Sequence, residues 1–259
     1  GATGFELLAG TDRNGIRTIQ EDRAGNLYLA GVPVEVLRVA PRGGRIERFG
    51  AEAGLRGTRV LRMVLDASGT LWVAAEGGGL RAAATGPGPL RFEPVVVPGG
   101  NETEYFSGLI LDGKGRLWAA REKGLAVRDG GRWTRFTSAD GLRETHVAYA
   151  LSLRNGELVA AYFEGAGLSR VTYDGGRISV ADLLAPGSVL ATQKVYMLGE
   201  DRSGRIWAGT GLGVTSVENG TERRYRAEDG LVGEDFNNMT FLEDADGGLW
   251  FGTMSGLAR

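Results

Sequence analysis

A frame repeated six times constrains this chain more than any other feature. The copies are EDRAGNLYLA (Glu21–Ala30), LDASGTLWVAAEGGGL (Leu65–Leu80), LDGKGRLWAAREKGL (Leu111–Leu125), LSLRNGELVAAYFEGAGL (Leu151–Leu168), EDRSGRIWAGTGLGV (Glu200–Val214) and EDADGGLWFGTMSGL (Glu243–Leu257). They share Asp-x-x-Gly-x-Leu/Ile-Trp, then small residues, then Gly-Leu. The anchor glycines are Gly25, Gly69, Gly115, Gly156, Gly204 and Gly247, spaced by 44, 46, 41, 48 and 43 residues. Four of the five tryptophans, Trp72, Trp118, Trp207 and Trp250, hold one place in the frame, with Tyr28 and Val159 in the other two copies. The fourth copy is degenerate, with Leu153 in the aspartate place, and the first lacks a clear Gly-Leu. Self-similarity at such a period identifies a repeat architecture.

Each copy reads as strands. RVLRMVLD and HVAYALSL are short and dense in β-branched and apolar residues, and TLWVAA and RIWAGT make a second short strand. Asp-x-x-Gly between them is a hairpin turn, with the Asp capping backbone N–H groups and the Gly taking positive φ. Gly-Leu starts a third strand, and GGRIERFG, GGRWTRFT and GTERRYRA supply a fourth. No helical period is sustained. Four antiparallel strands every 41–48 residues are the pattern of a β-propeller blade. An open β-solenoid is the rival, but its repeats are usually shorter. The residues after Gly247 and before Gly25 together make nearly one further period. We therefore expect an all-β chain, one propeller domain over 1–259, with six blades favoured and seven the alternative. The N-terminal GFELL (Gly4–Leu8) is expected to supply the outer strand of the last blade, which would remove an exposed edge.

The 259 residues suffice for a sizeable core, and 44 glycines suit many tight turns. Thirty basic residues stand against 32 acidic ones, a net charge of -2, so no basic excess points to nucleic acid or an anionic membrane surface. The absence of cysteine excludes a disulfide framework and thiolate chemistry. No apolar run approaches the ~18 residues needed to span a bilayer. The opening GATGFELLAG has neither Met nor a signal pattern, which reads as an excised domain or mature fragment.

The recurring tryptophans read as packing between blades and the aspartates as turn caps. Calcium at Asp244-Ala245-Asp246-Gly247 is disfavoured, because the twelfth loop position is Ser255 rather than glutamate. No metal and no cofactor is expected. His146, the only histidine, cannot furnish a multi-histidine zinc set. It can serve as a general base, but Gly-x-Ser-x-Gly, His-Glu-x-x-His and a P-loop are all missing. Catalytic residues are therefore not assigned.

The blade geometry points to one face instead. The Asp-x-x-Gly turns lie at one end of the strands, and the loops between second and third strands, with the blade crossovers, lie at the other. Ten residues before each anchor glycine is the place where the chain leads into the first strand, near a central channel. It holds Gly15, Arg59, Tyr105, His146, Lys194 and Asn237, while the following residue is mostly apolar. A scaffold that is constant beside one varied polar position behaves as a binding surface. Arg59, Tyr105, His146, Lys194 and Asn237 are the candidates, joined by Glu76, Arg121, Glu122 and Glu164 from the loops. An ordinary solvated loop end is the alternative reading.

The frame is preceded by Asp-Gly-Leu in FTSADGLRETHV (Phe136–Val147) and YRAEDGLVGEDFNNMTFLED (Tyr225–Asp244), and more faintly in FGAEAGLRGTRV (Phe49–Val60). In this the chain resembles the two-component regulator propeller repeats, over nearly its whole length. The resemblance implies the extracytoplasmic sensor portion of a bacterial hybrid histidine kinase or related receptor, periplasmic or extracellular. Such propellers are commonly seven-bladed. An immunoglobulin-like domain, a membrane helix and a cytoplasmic output domain usually follow them. It further implies a small-molecule or carbohydrate-like ligand, adjacent receptor domains as partners, and asparagine in the place of Asn237. Streptogramin lyases share a similar repeat, but their Asn-Lys-Ile-Gly-Arg-type continuation is missing here. The expected function is a non-enzymatic sensor or interaction propeller. The alternatives are a propeller lyase or lactonase using His146 with carboxylates and a divalent ion, or a purely structural interaction propeller.

Overall fold

A computed structural model describes residues 10, 11 and 13–259, apart from the side chains of 43 and 237–239. The chain is all-β, and its regular structure is six antiparallel sheets, the blades of a β-propeller, with a few short 3-10 turns in the connections. The blades run over 15–49, 60–95, 106–136, 147–182, 197–225 and 236–258. Five have four strands in simple meander order and the sixth has three among the described residues. The expected closing strand at Gly4–Leu8 lies outside those residues. By compactness the chain divides into two units, Gly1–Leu109 and Ile110–Arg259, the division falling inside the first strand of blade three.

Within each unit the core lies between consecutive blades. In the first unit Tyr28, Val36, Leu55, Met63, Leu71 and Phe92 form one buried cluster. In the second, Trp118, Leu125, Val147 and Tyr162 pack blade three on blade four, and Val159, Leu168, Val195 and Leu198 pack blade four on blade five. Met197, Trp207, Phe236 and Phe251 pack blade five on blade six. Second strands such as Leu117–Arg121 and Ile206–Thr210 are buried at every residue. This explains their near-continuous runs of apolar and small residues, since both faces meet a neighbour.

Asp-Gly-Leu has a local cause. After the fourth strand of blade three, Thr137 caps a single 3-10 turn, Asp140 returns its carboxylate to the Thr137 N–H, and Gly141 ends the turn at φ 101°. Leu142 then drops into the core. Gly54 and Gly230 end the matching turns at φ 99° and 101°. A left-handed residue is needed there, and glycine takes that conformation without a Cβ penalty. At Gly54 a Cβ would also strike the Phe92 carbonyl.

Candidate functional site

The Asp-x-x-Gly turns are built as caps. Asp66 Oδ1 accepts the N–H of Ser68 and of Thr70, both at 2.9 Å, and Asp66 Oδ2 accepts the indole N–H of Trp72 at 2.8 Å. The same three-fold pattern holds at Asp112 with Trp118, Asp201 with Trp207 and Asp244 with Trp250, each indole bond at 2.8 Å. In blade one the Tyr28 hydroxyl replaces the indole, 3.1 Å from Asp22. Burial pushes the Asp66, Asp112 and Asp201 carboxyls up, but the converging hydrogen bonds outweigh it and leave all three below the ordinary aspartate value. These carboxylates are held ionised by structural bonds, which suits caps and not proton carriers. Among the described residues no group of three or more His, Cys, Asp or Glu could hold a metal ion.

The opposite strand ends bring several predicted residues together. Phe163 N donates to the His146 carbonyl at 3.1 Å, closing the lead-in to the first strand of blade four. This places the His146 ring flat on Phe163, with centroids 4.4 Å apart and planes 6° from parallel. Lys194 comes to the same ring from the lead-in of blade five, its Nζ 3.7 Å from the centroid and 5.6 Å from that of Tyr196. A cation over an aromatic face contributes about 0.5–1 kcal/mol at an exposed site. Phe163 is exposed, while His146 and Lys194 are half-buried. His146 Nε2 is shielded from solvent and has no hydrogen-bond partner among the described residues. Glu164 is exposed, and its N–H donates to the Glu144 carboxylate at 3.2 Å. A group that combines an exposed aromatic ring with an ammonium, backed by the imidazole stacked on that ring, can hold a polar ligand.

In blade two the corresponding backbone bond runs from Glu76 N to the Arg59 carbonyl at 3.0 Å. The side chains of this pair meet as well: Arg59 Nε and a terminal nitrogen each lie 3.0 Å from a different Glu76 oxygen, and Thr58 Oγ1 donates to the same carboxylate. Tyr105 is half-buried at the lead-in to blade three, and Glu122 is exposed beyond its second strand. Arg121 is different. It is the last residue of the second strand, paired with Gly124, and is wholly buried, so it offers no surface to a ligand.

In blade six, counting back ten residues lands inside the strand. Asn237 is the second residue of Phe236–Glu243, and its side chain lies outside the described set. The residue in the place of Arg59 and His146 is Asp235, whose carbonyl accepts from Met254 N at 2.9 Å. The cause is an enlarged bulge. Phe236 pairs with Thr253 and Phe241 with Phe251, so the first strand carries more residues than its partner. Asp235 and Tyr196 are functional candidates that counting missed. The signal for Asp235 was the unusually long polar segment before FLED.

Residues 230–255 match the family model for the two component regulator propeller. They are a repeat of that kind. No curated protein matches the chain. Among solved structures, the extracellular domain of the hybrid two component system BT3049 from B. thetaiotaomicron is 16% identical, with a TM-score of 0.70 over 94% of this chain and 33% of that one. The chain thus spans about a third of that relative's length. Virginiamycin B lyase from Staphylococcus aureus, a catalytically inactive H270A form with quinupristin, is 12% identical, with a TM-score of 0.68 over 95% of this chain and 80% of the lyase. PorZ, a surface component of the type-IX secretion system of Porphyromonas gingivalis, is 14% identical, with a TM-score of 0.61 over 93% and 45%. At these identities the chain shares a fold with all three.

Proposed function

We propose that the chain is a non-enzymatic ligand-sensing or interaction propeller in the extracytoplasmic region of a two-component signalling receptor. Its ligand is a small molecule or is carbohydrate-like, and its neighbours are further domains of the same receptor. The binding face is the one opposite the aspartate turns. The observation that carries this reading is the His146–Phe163–Lys194 group. The lead-in residues of two successive blades differ from each other and converge on one exposed ring. Arg59 with Glu76, Tyr105, Glu122, Glu164 and the blade-six lead-in around Asp235 and Asn237 extend the same kind of surface in their own blades. His146 has no hydrogen-bonded carboxylate among the described residues, which supports binding over proton transfer.

A thermal-shift screen with small molecules and oligosaccharides tests the proposal. A true ligand raises Tm with the logarithm of its excess. His146→Ala and Lys194→Ala should each abolish that rise while leaving the unliganded Tm nearly unchanged. A hit indifferent to both variants would remove the assignment of the site. Metal-dependent turnover lost in His146→Ala would replace the sensor reading with an enzymatic one.

A further inference from the structure

The turn face of the first unit contains a cleft of about 620 Å3, lying between the turns of blades one and two. Its origin is visible in blades four to six, where the equivalent space is closed by a recurring arginine. Arg154, in the first place after the turn aspartate position, donates from Nη1 to the Asp201 carbonyl at 2.7 Å, and its backbone N–H goes to the Glu200 carboxylate at 2.9 Å. Arg202 does the same one blade on, reaching the Asp244 and Ala245 carbonyls at 2.7 and 3.0 Å and giving its N–H to Glu243 at 2.6 Å. The latch therefore has two parts, an arginine after one aspartate and a glutamate before the next.

Blade one keeps the arginine and blade two lacks the glutamate. Arg23 follows Asp22, but the residue before Asp66 is Leu65. Arg23 is exposed and forms no hydrogen bond or ion pair with any described residue. The carbonyl of Asp66 accepts only the N–H of Gly69, and that of Ala67 accepts nothing among the described residues. The carbonyls that Arg154 and Arg202 occupy elsewhere are thus open here. The floor is rigid: Arg38 is bound to Glu47 through Nε at 2.8 Å and to the Gly86 and Gly88 carbonyls at 2.6 and 2.9 Å.

We propose that this cleft is a binding site for a small carboxylic acid carrying hydroxyl or ammonium groups. The ligand carboxylate takes the role of the missing glutamate and pairs with the Arg23 guanidinium and backbone N–H. Its hydroxyl or ammonium donors fill the Asp66 and Ala67 carbonyls. The charges select this class. Asp22, Glu47 and Asp66 outnumber Arg23 and Arg38, so a bare dianion is disfavoured, whereas a carboxylate joined to donors satisfies both walls. The volume is that of an ordinary small-ligand pocket, roughly 300–1,000 Å3. No residue is shared with the His146 group, so either site can fail without the other.

Melting curves of the intact chain with millimolar D-gluconate, L-glutamate, succinate and sorbitol test the idea. Gluconate or glutamate should raise Tm by about 2 °C or more, with succinate and sorbitol giving less than half of that. Arg23→Ala should abolish the rise and leave the unliganded Tm within about 1 °C, because its exposed side chain makes no hydrogen bond or ion pair with any described residue. Leu65→Glu restores the latch and should abolish the rise as well; if that variant does not fold, Arg23→Ala alone decides. A rise that persists in Arg23→Ala, an equal rise with sorbitol, or no rise with either substituted acid overturns the proposal.

Discussion

Each tryptophan of the repeat gives its indole N–H to the aspartate six residues before it, so two residues that read separately from sequence act as one unit. The degenerate fourth copy supports this, because it loses both together. Leu153 and Val159 stand in the two places and are buried in one apolar cluster, while Asn155 caps the turn by accepting the Glu157 N–H at 3.0 Å. Turn cap and packing aromatic were legible in the spacing; the bond joining them was not, since sequence spacing does not give side-chain direction. Asp201→Ala should strand the buried Trp207 N–H and two turn N–H groups, lowering unfolding free energy by about 1–3 kcal/mol in urea titration. Leu153→Asp should also destabilise, by about 2 kcal/mol or more, because Val159 offers no donor to a carboxylate buried there. If Leu153→Asp instead stabilises, the paired loss of Asp and Trp in that blade has another cause.

At the scale of the blade, repeat length conceals local change. Blade six has the enlarged bulge at Phe236–Phe241, yet its anchor spacing of 43 residues lies within the range of the other blades, so the extra strand residues do not stand out in the repeat length. Counting from the glycine therefore placed Arg59 and His146 correctly at their strand lead-ins and slipped by two residues in blade six. Arg121 escaped for a different reason. A charge near a predicted loop reads as exposed, but the strand continues through it and is buried on both faces. The bulge has a packing consequence as well. The rings of Phe236 and Phe241 lie over Gly209 and Gly199 of blade five, and a Cβ at Gly209 would stand 2.7 Å from the Phe236 ring. Gly209→Ala should cost about 1–3 kcal/mol by overpacking. Gly113→Ala, with nothing within 4 Å of its Cβ, should change stability by no more than about 0.5 kcal/mol. Equal effects of the two substitutions in chemical denaturation would mean that backbone freedom, not ring contact, keeps Gly209.

For the whole molecule, the repetition of one cap turns a small local effect into a shared pH dependence. Asp22, Asp66, Asp112, Asp201 and Asp244 all sit below their ordinary value of 3.8 in the folded chain. At Asp244 the Trp250 bond is the main cause; at the other four, burial acts upward and is overcome by the hydrogen bonds. A depressed folded pKa means that the unfolded chain takes up protons first as pH falls. The stabilisation is therefore complete above the unfolded value and is lost progressively as pH drops through the folded one. Because the same bonds recur in five blades, the losses all run in one direction. Melting temperature should be nearly flat from about pH 7 to 5 and fall steeply below about pH 4. Asp112→Asn keeps one acceptor oxygen, enough for the turn N–H groups or for Trp118 but not both, and removes one titrating group, so it should melt lower at neutral pH and show a shallower acid limb. An acid limb of unchanged slope in that variant would move the pH dependence to the other carboxylates, such as those paired with arginine.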